Sequence, residues 1–108
     1  MSDSIRQLYD TIAGRKEQPE EGSYTCYLFD KGLDKILKKC GEECSEVIIA
    51  AKNHEKDEVV MEISDLCYHL MVLMVNEGIP LDAVAAELDK RSGKTGNLKT
   101  FHVTDKNS

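Results

Sequence analysis

The sequence predicts an all-α domain built on an antiparallel helical hairpin with flanking helices. Three observations lead there. Apolar residues recur three and four apart over most of residues 5–91, no stretch alternates apolar and polar residues as a half-buried strand does, and Gly, Pro and polar clusters separate the periodic segments.

Ser4 and Gln7 stand in capping-box spacing around Ile5, with Leu8 and Ile12 following, and Gly14 is a natural stop. A short first helix is expected. Residues 15–23, with Pro19, Gly22 and several glutamates, read as a polar loop, and residues 24–29 as a turn ahead of Gly32. From about residue 30 to 52, Leu33, Ile36, Leu37, Cys40, Cys44, Val47, Ile48 and Ala51 make one stripe at ~100° per residue, the mark of a long amphipathic helix. Gly41 inside it costs ~1 kcal/mol relative to Ala, which fits either close approach by another group or a tolerated glycine. A polar apex at 53–57 leads into a second stripe of Val59, Ile63, Leu66, Cys67, Leu70, Leu73 and Met74, ending at Gly78. After Pro80, the residues Leu81, Val84, Ala85 and Leu88 give a further amphipathic helix to about Arg91. Residues 93–108, rich in Gly, Lys, Asn and Thr, are expected to form a mobile tail.

The 108 residues amount to one domain, 1–108, with a modest core of its own, so help from a partner subunit or a metal is expected. Fourteen Lys and Arg against twenty Asp and Glu give a net charge of -6, which argues against a nucleic-acid partner. Phosphates remain accessible to such a chain where cations bridge. No apolar run approaches the ~20 residues that span a bilayer and the first residues lack an apolar signal core, so no membrane partner and a cytoplasmic location are expected. Cys26, Cys40, Cys44 and Cys67 lack the spacing of a disulfide scaffold and are expected as reduced thiols.

The chemistry concentrates in Glu42-Glu43-Cys44-Ser45-Glu46 and Glu62-Ile63-Ser64-Asp65. Carboxylates three apart share a helical face. In an antiparallel pair turning at His54, positions whose numbers sum to 108 face each other, which pairs Glu46 with Glu62 and Glu43 with Asp65. Glu43 and Glu62 fall at the rim of their apolar stripes, partly buried. Four converging like charges repel unless hard cations such as Mg²⁺ or Mn²⁺ sit among them. A solvated acidic face is the alternative, and spacing alone leaves both open, although Glu42 and Glu46 form a like-charge i,i+4 pair rather than the Glu–Lys interleaving of a stabilising surface.

Weaker candidates surround these. Ser92-Gly93-Lys94-Thr95 ends like a phosphate loop, but Leu88 stands where the first Gly belongs and no strand precedes it. His69, four after Asp65, reads as a hydrogen-bonded or solvated histidine ahead of an auxiliary ligand. Cys40, Cys44 and Cys67 lie on apolar stripes, which favours core thiols over a zinc site. Lys35, Lys38, Lys39, Arg91 and Lys94 can meet phosphates, with solvated charge as the default for each.

Glu-Glu-x-x-Glu followed by Glu-x-x-Asp on paired helices resembles the all-α nucleotide pyrophosphohydrolases of the MazG-like superfamily. The narrower resemblance is to the phosphoribosyl-ATP pyrophosphatases. It is carried by Ser23-Tyr24-Thr25, Leu28-Phe29, Gly32, the run from Lys35 to Glu43, the run from Glu46 to Lys52, and the run from Glu62 to Leu70. It implies hydrolysis of phosphoribosyl-ATP to phosphoribosyl-AMP and pyrophosphate, the second step of histidine biosynthesis, by a Mg²⁺-dependent homodimer, with Mn²⁺ as a substitute. It further implies Glu43, Glu46, Glu62 and Asp65 as metal ligands, and Glu42 as a ligand, a group supporting one, or the base that takes a proton from water. Lys38, Lys39, Arg91 and Lys94 become the expected phosphate contacts. A dimer would complete a four-helix-bundle-like assembly over apolar surface that short helices cannot bury alone. The rival readings are a house-cleaning enzyme acting on other nucleoside triphosphates and a non-catalytic helical dimerisation module.

Overall fold

A computed structural model describes residues 2–93, and in it the chain is five helices in the order α1 (Ser2–Glu17), α2 (Tyr24–Lys31), α3 (Leu33–Lys52), α4 (Lys56–Asn76) and α5 (Leu81–Ser92). The expected tail, Lys94 included, lies outside the described residues, apart from Gly93. None of these helices is long and apolar enough to cross a membrane.

The long hairpin is present: α3 and α4 share the most extensive packing in the structure. Its apex closes without glycine. His54 takes a left-handed φ of 59°, and Glu55 N–H donates to the Ala50 carbonyl while His54 N–H donates to that of Ala51. The end of α4 uses the same device with a glycine: Gly78 has φ 70° and Ile79 N–H reaches back to the Met74 carbonyl.

Two elements differ from the sequence expectation. Helix α1 continues through Gly14 to Glu17, because one exposed glycine costs only ~1 kcal/mol and the flanking residues are good helix formers. Residues 24–31 are a helix rather than a turn, started by Ser23, whose hydroxyl accepts the Cys26 N–H at 3.2 Å. Gly32, at φ 91°, closes α2 and opens α3, a conformation that a side chain would strain.

The core sits at the open end of the hairpin, where α1 and α2 lie against it: Ile12, Leu28, Ile36, Met71 and Val72 are buried together. Leu28 is wholly buried and is the single buried side chain of α2. Leu28→Ala is expected to cost about 2–5 kcal/mol in urea unfolding, the usual range for a buried leucine truncated to a cavity. A loss below ~1 kcal/mol would mean that α2 is not anchored there.

Candidate metal centre

Midway along the α3–α4 seam the apolar packing gives way to acids. One oxygen each from Glu43, Glu62 and Asp65 lie within 4.8 Å of one another. Glu43 is only 6% exposed, Glu62 is half-buried and Asp65 is exposed, so the cluster opens outward from the hairpin interior. Oε1 of Glu43 and Oε1 of Glu62 are buried and have no hydrogen-bond partner among the described residues. Buried oxygens of this kind are almost always satisfied in native proteins, so an unpartnered pair calls for a donor or a cation.

Partial burial, reinforced by the charges of Glu46, Glu43 and Asp65, holds the Glu62 carboxyl above the usual carboxylate range. Glu46 itself is exposed and acts on Glu62 from α3. Glu42 is exposed and turned toward Lys39, whose Nζ lies 3.2 Å from Glu42 Oε1 and 3.6 Å from Glu43 Oε2. Its hydrogen bond to Glu42 raises the Lys39 pKa, against the effect of burial. One ammonium therefore offsets only part of a charge made by five neighbouring carboxylates.

The sequence-predicted cations behave differently from one another. Lys39 sits on the acids, Lys38 is exposed beside it, and Arg91 is at the end of α5 with Nε 3.0 Å from Glu87. Helix α5 has no buried residue and packs little against the hairpin, so this arrangement does not bring Arg91 to the carboxylates. The four cysteines carry free thiols, with Cys44 exposed and the others half-buried.

His69 belongs to this centre as a support. It is 5% exposed, one turn after Asp65, and its Nδ1 donates to the Asp65 carbonyl at 2.8 Å. That bond leaves Nε2 to accept from the Tyr24 hydroxyl at 3.0 Å. Thr25 and Tyr68 join their hydroxyls across the same contact between α2 and α4. The residues Ser23, Tyr24 and Thr25 thus lie at the start of a helix that packs beside the acids.

Residues 5–92 match a family model described as phosphoribosyl-ATP pyrophosphohydrolase. The chain belongs to this family. A phosphoribosyl-ATP pyrophosphatase of Listeria monocytogenes serotype 4a is 62% identical over 95 residues, 88% of this chain and 91% of the relative. One from Clostridium botulinum (strain Kyoto / Type A2) is 60% identical over 100 residues, 93% of this chain and 91% of that protein. The histidine biosynthesis bifunctional protein HisIE of Caldanaerobacter subterraneus is 59% identical over 90 residues, which are 83% of this chain and 44% of that longer protein.

For a phosphoribosyl-ATP pyrophosphohydrolase family member, the donor set suits a hard divalent cation. Among the described residues it offers oxygen alone, two of the oxygens are buried and unpartnered, and His69 supports the cluster without adding a donor to it. Sequence reasoning missed Tyr24 and Thr25 as helical supports of this centre. The available signal was Ser23 as a cap followed by Tyr24, Tyr27 and Leu28 at three-and-four spacing.

Proposed function

We propose that the chain hydrolyses phosphoribosyl-ATP to phosphoribosyl-AMP and pyrophosphate in the cytoplasm, as a step of histidine biosynthesis. The observation that carries this reading is the meeting of Glu43, Glu62 and Asp65 with two buried, unpartnered oxygens, in a chain of this family. Glu43, Glu46, Glu62 and Asp65 would hold Mg²⁺, or Mn²⁺ in its place. Such a cation, when bound, neutralises phosphate charge and makes water a better nucleophile.

The remaining work falls to the protein. Asp65 and Glu46, both exposed, face the solvent from which water arrives, and Glu42 would take its proton as the new P–O bond forms and the phosphoric anhydride bond breaks. Lys39 holds Glu42 and Glu43 in place on the α3 side, and His69 braces the backbone at Asp65 on the α4 side. Pyrophosphate leaves as the second product. Release of pyrophosphate measured on phosphoribosyl-ATP, ATP and dCTP should show strong preference for the first. Preference for dCTP would place the chain with house-cleaning enzymes instead.

We further propose that two copies assemble face to face. Leu37, Ile48, Val60, Ile63 and Leu70 are 40–64% exposed on neighbouring faces of α3 and α4, too much apolar surface for a lone hairpin. Gly41 lies exposed in that stripe, and a Cβ there would meet nothing within 4 Å among the described residues. Closing two hairpins over this face gives a four-helix bundle. Ile48→Asp is expected to halve the mass found by light scattering, and an unchanged mass would contradict this interface.

A further inference from the structure

Three tyrosines stack in a row with Tyr24 in the middle. Tyr68 and Tyr24 stack with ring centroids 6.1 Å apart and planes at 26°, and Tyr24 and Tyr27 with centroids 6.0 Å apart and planes at 23°. The middle ring is tied to the metal centre, since the Tyr24 hydroxyl bonds His69 and feels the charges of Lys39 and Glu43. The outer ring is about as open as the middle one, with Tyr24 45% exposed. Tyr27 is 42% exposed, and the ammonium groups of Lys31 and Lys35 stand 5.8 and 5.9 Å from its ring centre. Among the described residues neither lysine is in an ion pair, whereas Lys39 is already held by two carboxylates. Tyr24 and Tyr27 also line a groove of about 870 Å³ between α2 and the segment joining it to α1, whose walls include Arg15, Lys16, Glu20, Glu21 and Asp30 but neither Lys31 nor Lys35.

An exposed aromatic ring flanked by cations that have no carboxylate partner among the described residues suits a purine nucleotide. The ring stacks on the base, and the ammonium groups meet phosphate. Phosphoribosyl-ATP differs from ATP by one ribosyl 5′-phosphate carried on the purine. With the triphosphate at the carboxylates, that additional phosphate must lie at the base end of the molecule.

We propose that Tyr27 is the stacking platform for the purine and that Lys31 and Lys35 bind its additional ribosyl 5′-phosphate. The junction of α2 and α3 then distinguishes phosphoribosyl-ATP from ATP. The assignment rests on the phosphoribosyl-ATP reading of the site. Nothing in it alters the hydrolytic step, so the signature is in KM rather than kcat.

The test is steady-state pyrophosphate release from phosphoribosyl-ATP by the wild type, Y27A, Y27F and the double variant K31A/K35A, with ATP as a competing inhibitor. Y27A is expected to raise KM about tenfold, the worth of one base–aromatic stack, and to weaken ATP inhibition alongside, while Y27F restores both. K31A/K35A should raise KM for phosphoribosyl-ATP by a similar factor and leave inhibition by ATP as in the wild type. Unchanged KM in Y27A and K31A/K35A overturns the assignment. So does a double variant that loses ATP inhibition in step, because its lysines would then serve the triphosphate, and so does a Y27A protein that changes its mass in solution, because Tyr27 would then be an interface residue. A wild type inactive on phosphoribosyl-ATP fails the functional reading as a whole. An active wild type with indifferent variants fails this assignment alone.

Discussion

Replacing Glu46 by Gln or Asp65 by Asn is expected to lower kcat for phosphoribosyl-ATP about 10²–10⁴-fold, with helix content unchanged in far-UV circular dichroism. Both side chains are exposed, so neither substitution opens a cavity or strands a buried partner. Surface changes of that kind move stability by roughly ±0.5 kcal/mol. The loss falls on chemistry because Asp65 is one of three carboxylates that meet within 4.8 Å and Glu46 is a further charge acting on Glu62. A variant that kept full Mg²⁺-dependent turnover would remove its residue from the metal centre.

Glu62→Gln should change stability in opposite directions with and without metal. In the metal-free protein the Glu62 carboxyl is held above its ordinary value by burial and by its acidic neighbours. Between the ordinary and the raised value the folded chain therefore holds a proton that the unfolded chain has released. The contribution of this group is fully present below the ordinary carboxylate pKa and is lost as pH rises through the raised one. At pH 7 the charged Glu62 thus works against folding, and Glu62→Gln should melt above the wild type. The difference between the two should shrink as the pH is lowered toward the ordinary carboxylate range. Adding Mg²⁺ at ~100 times its Kd should raise the wild-type Tm on the order of 10 °C, while the variant gains far less. Equal responses of the two proteins to Mg²⁺ would show that Glu62 holds no cation.

Much of this was legible in the sequence because helices repeat with a fixed period. The apolar stripes of α3 and α4 and the polar apex between them set the hairpin, and turning at His54 placed the acids at matching heights. Ile36 and Val72, both wholly buried, obey the same pairing. Helix α2 was not legible as a helix, because eight residues carry too little periodicity to stand out and Gly32 follows at once. The position of Lys39 was hidden for another reason. A lysine near phosphate chemistry invites a phosphate contact, whereas three- and four-residue spacing to Glu42 and Glu43 also permits the ion pairs that form. The exposed stripe from Leu37 to Ile48 looked in sequence like core, since periodicity marks an apolar face without saying whether the same chain or a second copy covers it.

The row of tyrosines lay beyond sequence reasoning altogether. Tyr24 and Tyr68 stand 44 positions apart on helices whose contact depends on the turn at Gly32. Only the folded chain aligns them with Tyr27.

The carboxylates of α3 and α4 are proposed to act on phosphoribosyl-ATP through a divalent cation. Pyrophosphate release from phosphoribosyl-ATP, measured in Mg²⁺, after chelation and after Mn²⁺ is supplied, tests it most directly. The expected result is turnover in Mg²⁺, none after chelation and recovery with Mn²⁺. Release that continues unchanged in the chelator would contradict the claim.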